Sequence, residues 1–166
     1  MNLSEETQKE LLYTAKLHNK HRGELAELAF MRKAAGRGLA VAKPWGDSER
    51  YDFVVRVGKV FWRVQVKSVL PKSPQRTHYR ISTTGSLKTT YSSDDIDFLV
   101  AYIFPEDTWY IFPASVVAKR KSLCVIPRSR SRFEIYREAW SLMVQTCTEP
   151  QMTVEVQNGT MKTPSS

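Results

Sequence analysis

An acid, an amide and a lysine stand on one face of an otherwise apolar hairpin, and their types suit phosphoryl chemistry. From Tyr51 to Ser68 the residues are largely β-branched or aromatic, and Gly58-Lys59 breaks the run with the composition of a two-residue turn. That turn pairs Val57 with Val60 and sets Asp52 across from Gln65, with Cβ atoms roughly 5 Å apart. Lys67, two residues along, lies on the same face. A purely structural strand would carry valines there. A carboxylate oxygen and an amide oxygen are hard ligands suited to Mg²⁺. A lysine beside them can hold or deprotonate a water poised to attack phosphorus. The bland alternative, a solvent-facing hairpin with ordinary polar residues, is not excluded by these two strands alone.

Such a face needs a scaffold, and the flanking sequence supplies one. From Glu5 to about Ala35 the chain is rich in Leu, Ala, Glu and Lys with Gly23 as its strong breaker, which predicts two helices or one interrupted helix. Leu25, Leu28, Ala29 and Phe30 form its expected apolar stripe, and Gly36 with Gly38 stops it before a short strand at Leu39-Ala40-Val41. After the hairpin, Leu70 to Thr90 reads as a basic loop with Lys72, Arg76, Arg80 and Lys88 and a short strand near Tyr79-Arg80-Ile81. The apolar run Phe98 to Phe104 predicts a central strand covered on both faces, and Trp109 to Phe112 a further strand beyond a Pro105-Glu106-Asp107 turn. Phe133, Tyr136, Trp140 and Met143 recur at helical spacing and predict a closing amphipathic helix on the sheet.

A chain of 166 residues with 42% hydrophobic content can bury one real core. The expected organisation is one domain over 1–146, with 1–22 as an N-terminal helical extension, and a disordered polar tail over 147–166. The net charge of +8 favours a polyanionic partner, nucleic acid or an acidic membrane surface. No stretch approaches the roughly 20 apolar residues that span a bilayer, and the start of the chain is acidic where a signal peptide is basic, so a cytoplasmic location without membrane partners is expected. Cys124 and Cys147 indicate neither a disulfide framework nor zinc, and His18, His21 and His78 lack metal-ligand spacing. Ser93-Asp94-Asp95 reads more simply as a turn or cap than as a second metal cluster with Asp97. Trp45 either touches a nucleic acid or anchors its own loop.

Gly23-x-x-x-Glu27 on a helix, then Gly38-Leu39-Ala40-Val41, Tyr51-Asp52-Phe53-Val54-Val55 and Val64-Gln65-Val66-Lys67, resemble in order and approximate spacing the core of the PD-(D/E)XK nucleases. With Arg63 before it and Tyr91-x-x-Asp94-Asp95-Ile96-Asp97-Phe98 after it, the Gln65 version resembles the branch containing the homing endonucleases of group I introns. The resemblance implies an α/β fold with a restriction-endonuclease-like core, a mixed central sheet flanked by helices. It implies metal-dependent hydrolysis of DNA phosphodiesters to 5′-phosphate and 3′-hydroxyl ends, with Mg²⁺ as cofactor and Mn²⁺ as a substitute. Asp52 would be the principal metal ligand, Gln65 the occupant of the second acidic position, Lys67 the catalytic lysine and Glu27 the helix-borne acid. Glu24, one turn away on the same side, is the other candidate acid, and Glu27 fits better because its distance to the Gly38 turn resembles the family pattern.

Gln65 departs from the consensus. It offers an oxygen without charge, which lowers affinity for Mg²⁺ and leaves a catalytically silent DNA-binding protein as one alternative. A Holliday-junction nuclease is another. The expected partner is double-stranded DNA, its phosphates neutralised by Lys72, Arg76, Arg80 and Lys88 and by the segments Lys119–Lys121 and Arg128–Arg132. A symmetric cut needs a second active face, so a homodimer or homotetramer is expected.

Overall fold

The computed structural model describes residues 18–46, 48–70, 78–85 and 88–145. Helix α1 (Asn19–Gly36) runs through Gly23 without a break, so the interruption expected there does not occur. A single mid-helix glycine costs about 1 kcal/mol relative to alanine, a cost that tertiary packing offsets. Its buried face is Ala26, Phe30 and Ala34, whereas Leu25 and Leu28 of the expected stripe are exposed. The two alanines let the helix approach the sheet closely, and Phe30 fills the gap, its ring centroid 5.2 Å from Phe53 and 6.0 Å from Trp140. The helix ends as its glycines predict. Gly38 takes φ of 78°, and the N–H groups of Gly38 and Leu39 donate to the carbonyls of Ala35 and Ala34.

The chain then enters a five-stranded mixed sheet of β1 (Ala40–Ala42), β2 (Phe53–Val57), β3 (Val60–Val69), β5 (Phe98–Ile103) and β6 (Thr108–Pro113), in the order β1-β2-β3-β5-β6. Strands β2 and β3 pair in the expected register, Val57 with Val60 and Phe53 with Val64, around Gly58 at φ of 60°. Strands β3 and β5 are parallel, with Lys67 beside Ala101, and the other pairs are antiparallel. A second sheet joins β4 (Tyr79–Ser82) to β7 (Ser122–Val125), and the single-turn helix α2 (Ala114–Val117) follows β6.

Alternation along the strands divides the interior into two layers. Phe53, Val55, Val64, Val66, Phe98, Val100 and Ile111 pack with Phe30, Trp140 and Met143 under α1. On the opposite face Leu99, Ala101, Ile103, Tyr110 and Phe112 pack with Tyr79, Ile81, Leu123 and Val125 of the small sheet and with Tyr91, Ile96 and Phe133. β5 is buried on both faces, as its unbroken apolar run predicts. Asp52, Gln65 and Lys67 alternate onto this second face.

The expected closing helix is not continuous. A short 3-10 turn (Glu134–Tyr136) and helix α3 (Ser141–Gln145) are separated by Arg137 in extended conformation and Glu138 at φ of 51°. Phe133, Trp140 and Met143 are buried as their spacing suggests. The edge of β6 competes for the backbone between them: Glu138 N–H donates to the Trp109 carbonyl at 2.8 Å, and Trp109 N–H donates to Glu138 Oε1 at 3.0 Å. Unpaired strand-edge groups buried beside Trp140 would cost more than the lost helical turn.

Candidate active site

The hairpin register delivers Asp52 to Gln65. The Asp52 N–H donates to the Val64 carbonyl at 2.9 Å, extending the β2–β3 ladder by one residue and fixing where the carboxylate points. Its Oδ2 accepts two bonds, from Val66 N–H at 2.7 Å and from Gln65 Nε2 at 2.5 Å. Gln65 is 8% exposed and spends its remaining N–H on the Val66 carbonyl at 3.1 Å. Two oxygens are left over: Asp52 Oδ1 and Gln65 Oε1 accept no hydrogen bond from the described residues, and neither is sealed in the interior.

The electrostatics of Asp52 follow from this placement. Burial pushes its carboxyl up to about 6 from 3.8, with the charge of Glu27 adding to the rise, while the Val66 N–H, Lys67 and Gln65 oppose it. Glu27 is thus the helix carboxylate whose field reaches Asp52, and Glu24 is exposed on the turn before it. Lys43 Nζ donates to Glu27 Oε2 at 2.7 Å, tying the segment after β1 to α1. The free oxygens of Asp52 and Gln65, with the Glu27 carboxylate within electrostatic reach, are chemically the kind of donors that a hard divalent cation takes. A cation there would relieve the repulsion between Glu27 and Asp52 and favour the ionised Asp52.

A family model for PD-(D/E)XK endonucleases matches residues 17–143. The chain belongs to this family. The match runs from α1 through the hairpin and the later strands into α3, so it includes each of the candidate residues Glu27, Asp52, Gln65 and Lys67. The solved structure of the bacterial homing endonuclease I-Ssp6803I is similar, with a TM-score of 0.71 and 31% identity over 78% of this chain and 95% of that one. No curated protein sequence matches. As a PD-(D/E)XK endonuclease the chain is a nuclease dependent on divalent metal ions. Among the described residues, no helix is long and apolar enough to cross a membrane.

The remaining expectations sort cleanly. Among the described residues no group of three or more His, Cys, Asp or Glu side chains is arranged to hold a metal ion, and the acids before β5 have basic and hydroxyl partners instead. Asp97 is taken by Arg63, whose Nε and Nη2 donate to it at 3.1 and 2.9 Å, and Asp95 by Arg50 and by Ser92 N–H, each at 2.9 Å. These acids clamp the turn before β5, as a loop reading predicts. Trp45 is 99% exposed, so it does not anchor its loop. His18, His21 and His78 are exposed, and so is the Cys124 thiol. Lys72, Arg76, Cys147 and the tail lie outside the described residues.

Arg80 and Lys88 are exposed, and the small sheet gathers basic residues far apart in sequence. Thr83 N–H donates to the Lys121 carbonyl at 3.2 Å and its hydroxyl to the Arg120 carbonyl, so Lys119–Lys121 adjoin the end of β4. Sequence reasoning missed Arg50 and the ring of Tyr91. The Arg50 guanidinium lies 4.9 Å from the Tyr91 ring centroid and Lys67 Nζ lies 5.2 Å from it. Neither pairing has a local signal, since 41 residues separate Arg50 from Tyr91 by number.

Proposed function

We propose that this endonuclease hydrolyses phosphodiester bonds of double-stranded DNA with Mg²⁺, or Mn²⁺ in its place, at the site of Asp52, Gln65 and Lys67, with Glu27 reaching it from α1. The observation that carries the reading is the pair of unclaimed oxygens, Asp52 Oδ1 and Gln65 Oε1, beside a carboxylate that burial disfavours as an anion. Asp52, Gln65 and Glu27 would hold the cation, which when bound polarises the phosphate and favours attack by water. Lys67 donates hydrogen bonds to the attacking water and to a phosphate oxygen, offsetting negative charge that grows on the phosphoryl oxygens. The likeness to the bacterial homing endonuclease I-Ssp6803I, together with glutamine at the second acidic position, supports homing as the use of the cut, and a cytoplasmic setting is proposed with it. Linear duplex incubated with the purified protein should be cut only when Mg²⁺ or Mn²⁺ is present, leaving 5′-phosphate ends. Preference for four-way junctions would reassign it as a branched-DNA nuclease, and no cutting of any DNA with either cation would make it a silent binder.

Arg80, Lys88 and the Lys119–Lys121 segment, with Lys72 and Arg76, are proposed to hold DNA phosphates. Each neutralised phosphate releases counterions, so affinity for duplex should fall by roughly 10³-fold between about 50 and 200 mM salt if six or more are engaged. Fluorescence anisotropy over a salt titration tests this; a nearly flat dependence means that the basic residues do not meet the backbone.

One such face cuts one strand. A homodimer or homotetramer related by two-fold symmetry is therefore proposed for a double-strand cut. Sedimentation should show an even-numbered assembly on cleavable DNA, and a monomer there would instead mean that the enzyme nicks.

A further inference from the structure

The ammonium of Lys67 rests on an aromatic ring. Its Nζ lies 5.2 Å from the centroid of Tyr91, and among the described residues no carboxylate forms an ion pair with it. The ring is itself fixed. Tyr91 is 3% exposed, packs in the layer of Leu99 and Ala101, and its N–H donates to the Thr83 carbonyl at 3.3 Å. The Arg50 guanidinium approaches the same ring at 4.9 Å and is pinned to the surrounding turn through Asp95 Oδ2 at 2.9 Å, Thr89 Oγ1 at 3.0 Å and the Thr89 carbonyl at 3.1 Å.

A lysine at the end of a flexible stem must be restrained to act on one water. A carboxylate would restrain it but would also consume its N–H donors and neutralise its charge. A ring face attracts the cation through its quadrupole and accepts no strong hydrogen bond, so all three donors stay available. We propose that Tyr91 is the positioning residue for Lys67, with Arg50 holding the ring in place. The proposal rests on the role given to Lys67 above.

Tyr91→Phe keeps the ring face and Tyr91→Leu keeps bulk without it. In single-turnover cleavage, Tyr91→Leu should be slower on the order of 3- to 30-fold, the size of a partly desolvated cation–π contact, with duplex affinity unchanged. Tyr91→Phe should cleave as wild type does. In the Lys67→Ala background, Tyr91→Leu should cost nothing further, because the group it positions is gone. A readout independent of activity is the methyl signal of carbon-13 dimethylated Lys67, assigned by its absence in Lys67→Ala. It should lie upfield in the wild type and in Tyr91→Phe through the ring current, and at the position of exposed lysines in Tyr91→Leu. An unshifted wild-type signal, or an equal loss of rate from Tyr91→Leu with and without Lys67, overturns the proposal. Failure of the wild type to cleave would instead remove the reaction assigned above, while the methyl signal still decides whether the ring holds the lysine.

Discussion

Asp52→Asn is expected to abolish cleavage while raising the melting temperature of the metal-free protein near neutral pH. The catalytic loss should be roughly 10³-fold or more, because the substitution removes the principal anionic ligand. The stability gain follows from burial. Folding lifts the Asp52 carboxyl from 3.8 to about 6, so the folded state favours its neutral form. That contribution is fully present below the unfolded-state value and is lost as pH rises through about 6. Above it the folded chain carries a disfavoured anion, costing about 1–3 kcal/mol after allowance for solvent at a half-buried site. Asparagine keeps an oxygen for the Val66 N–H, removes the charge beside Glu27, and can reverse the Gln65 bond by an amide flip. Thermal unfolding in chelator should show the variant several degrees more stable near neutrality, the gap closing towards about pH 4 as wild-type Asp52 protonates. Saturating Mg²⁺ should also close it, since binding stabilises only the wild type. A variant that melts below wild type at neutral pH would show that the anion is well accommodated.

Substitutions at Gln65 should split activity from metal-free stability in the other direction. Gln65→Leu removes both the ligand oxygen and the donor to Asp52 Oδ2, and cleavage should fall by at least about 10²-fold, the scale of several kcal/mol of lost charge stabilisation. Gln65→Glu keeps an oxygen and adds charge, so cleavage should remain measurable with tighter Mg²⁺ affinity. Its cost appears without metal. The 2.5 Å contact that Nε2 makes with Asp52 becomes carboxylate against carboxylate, which forces the pair to share a proton. The metal-free variant should therefore melt below wild type at neutral pH and gain more on adding Mg²⁺. A Mg²⁺ titration of cleavage and of melting temperature for both variants checks this. Full activity in Gln65→Leu would confine the metal site to Glu27 and Asp52.

Where structure follows from neighbours a few residues away, the sequence could be read directly. The turn at Gly58-Lys59 and the two-residue period of strands were enough to place Asp52 against Gln65 with Lys67 beside them, and the Gly36 and Gly38 pair marked the end of α1. Burial of β5 on both faces was equally legible, because an unbroken apolar run has no polar side to turn to solvent.

Elsewhere hydrophobicity pointed to the wrong atoms. It favours Leu25 and Leu28 over Ala26 and Ala34, because hydrophobicity scales with side-chain size and carries nothing about how closely the helix approaches the sheet. It joined Phe133 to Met143 in one helix, because the claim of the β6 edge on Glu138 lies outside any local window. The chain by itself determined which chemical groups share a face, since strand pairing across a tight turn is a local matter. Only the tertiary structure decided their electrical state and restraint. Glu27 reaches Asp52 through the docking of α1, Lys43 closes on Glu27, and the Tyr91 ring meets Lys67 through the parallel pairing of β3 with β5. Desolvation, ion pairing and cation–π contact all depend on distances between segments remote in sequence, and those distances exist only once the layers have packed.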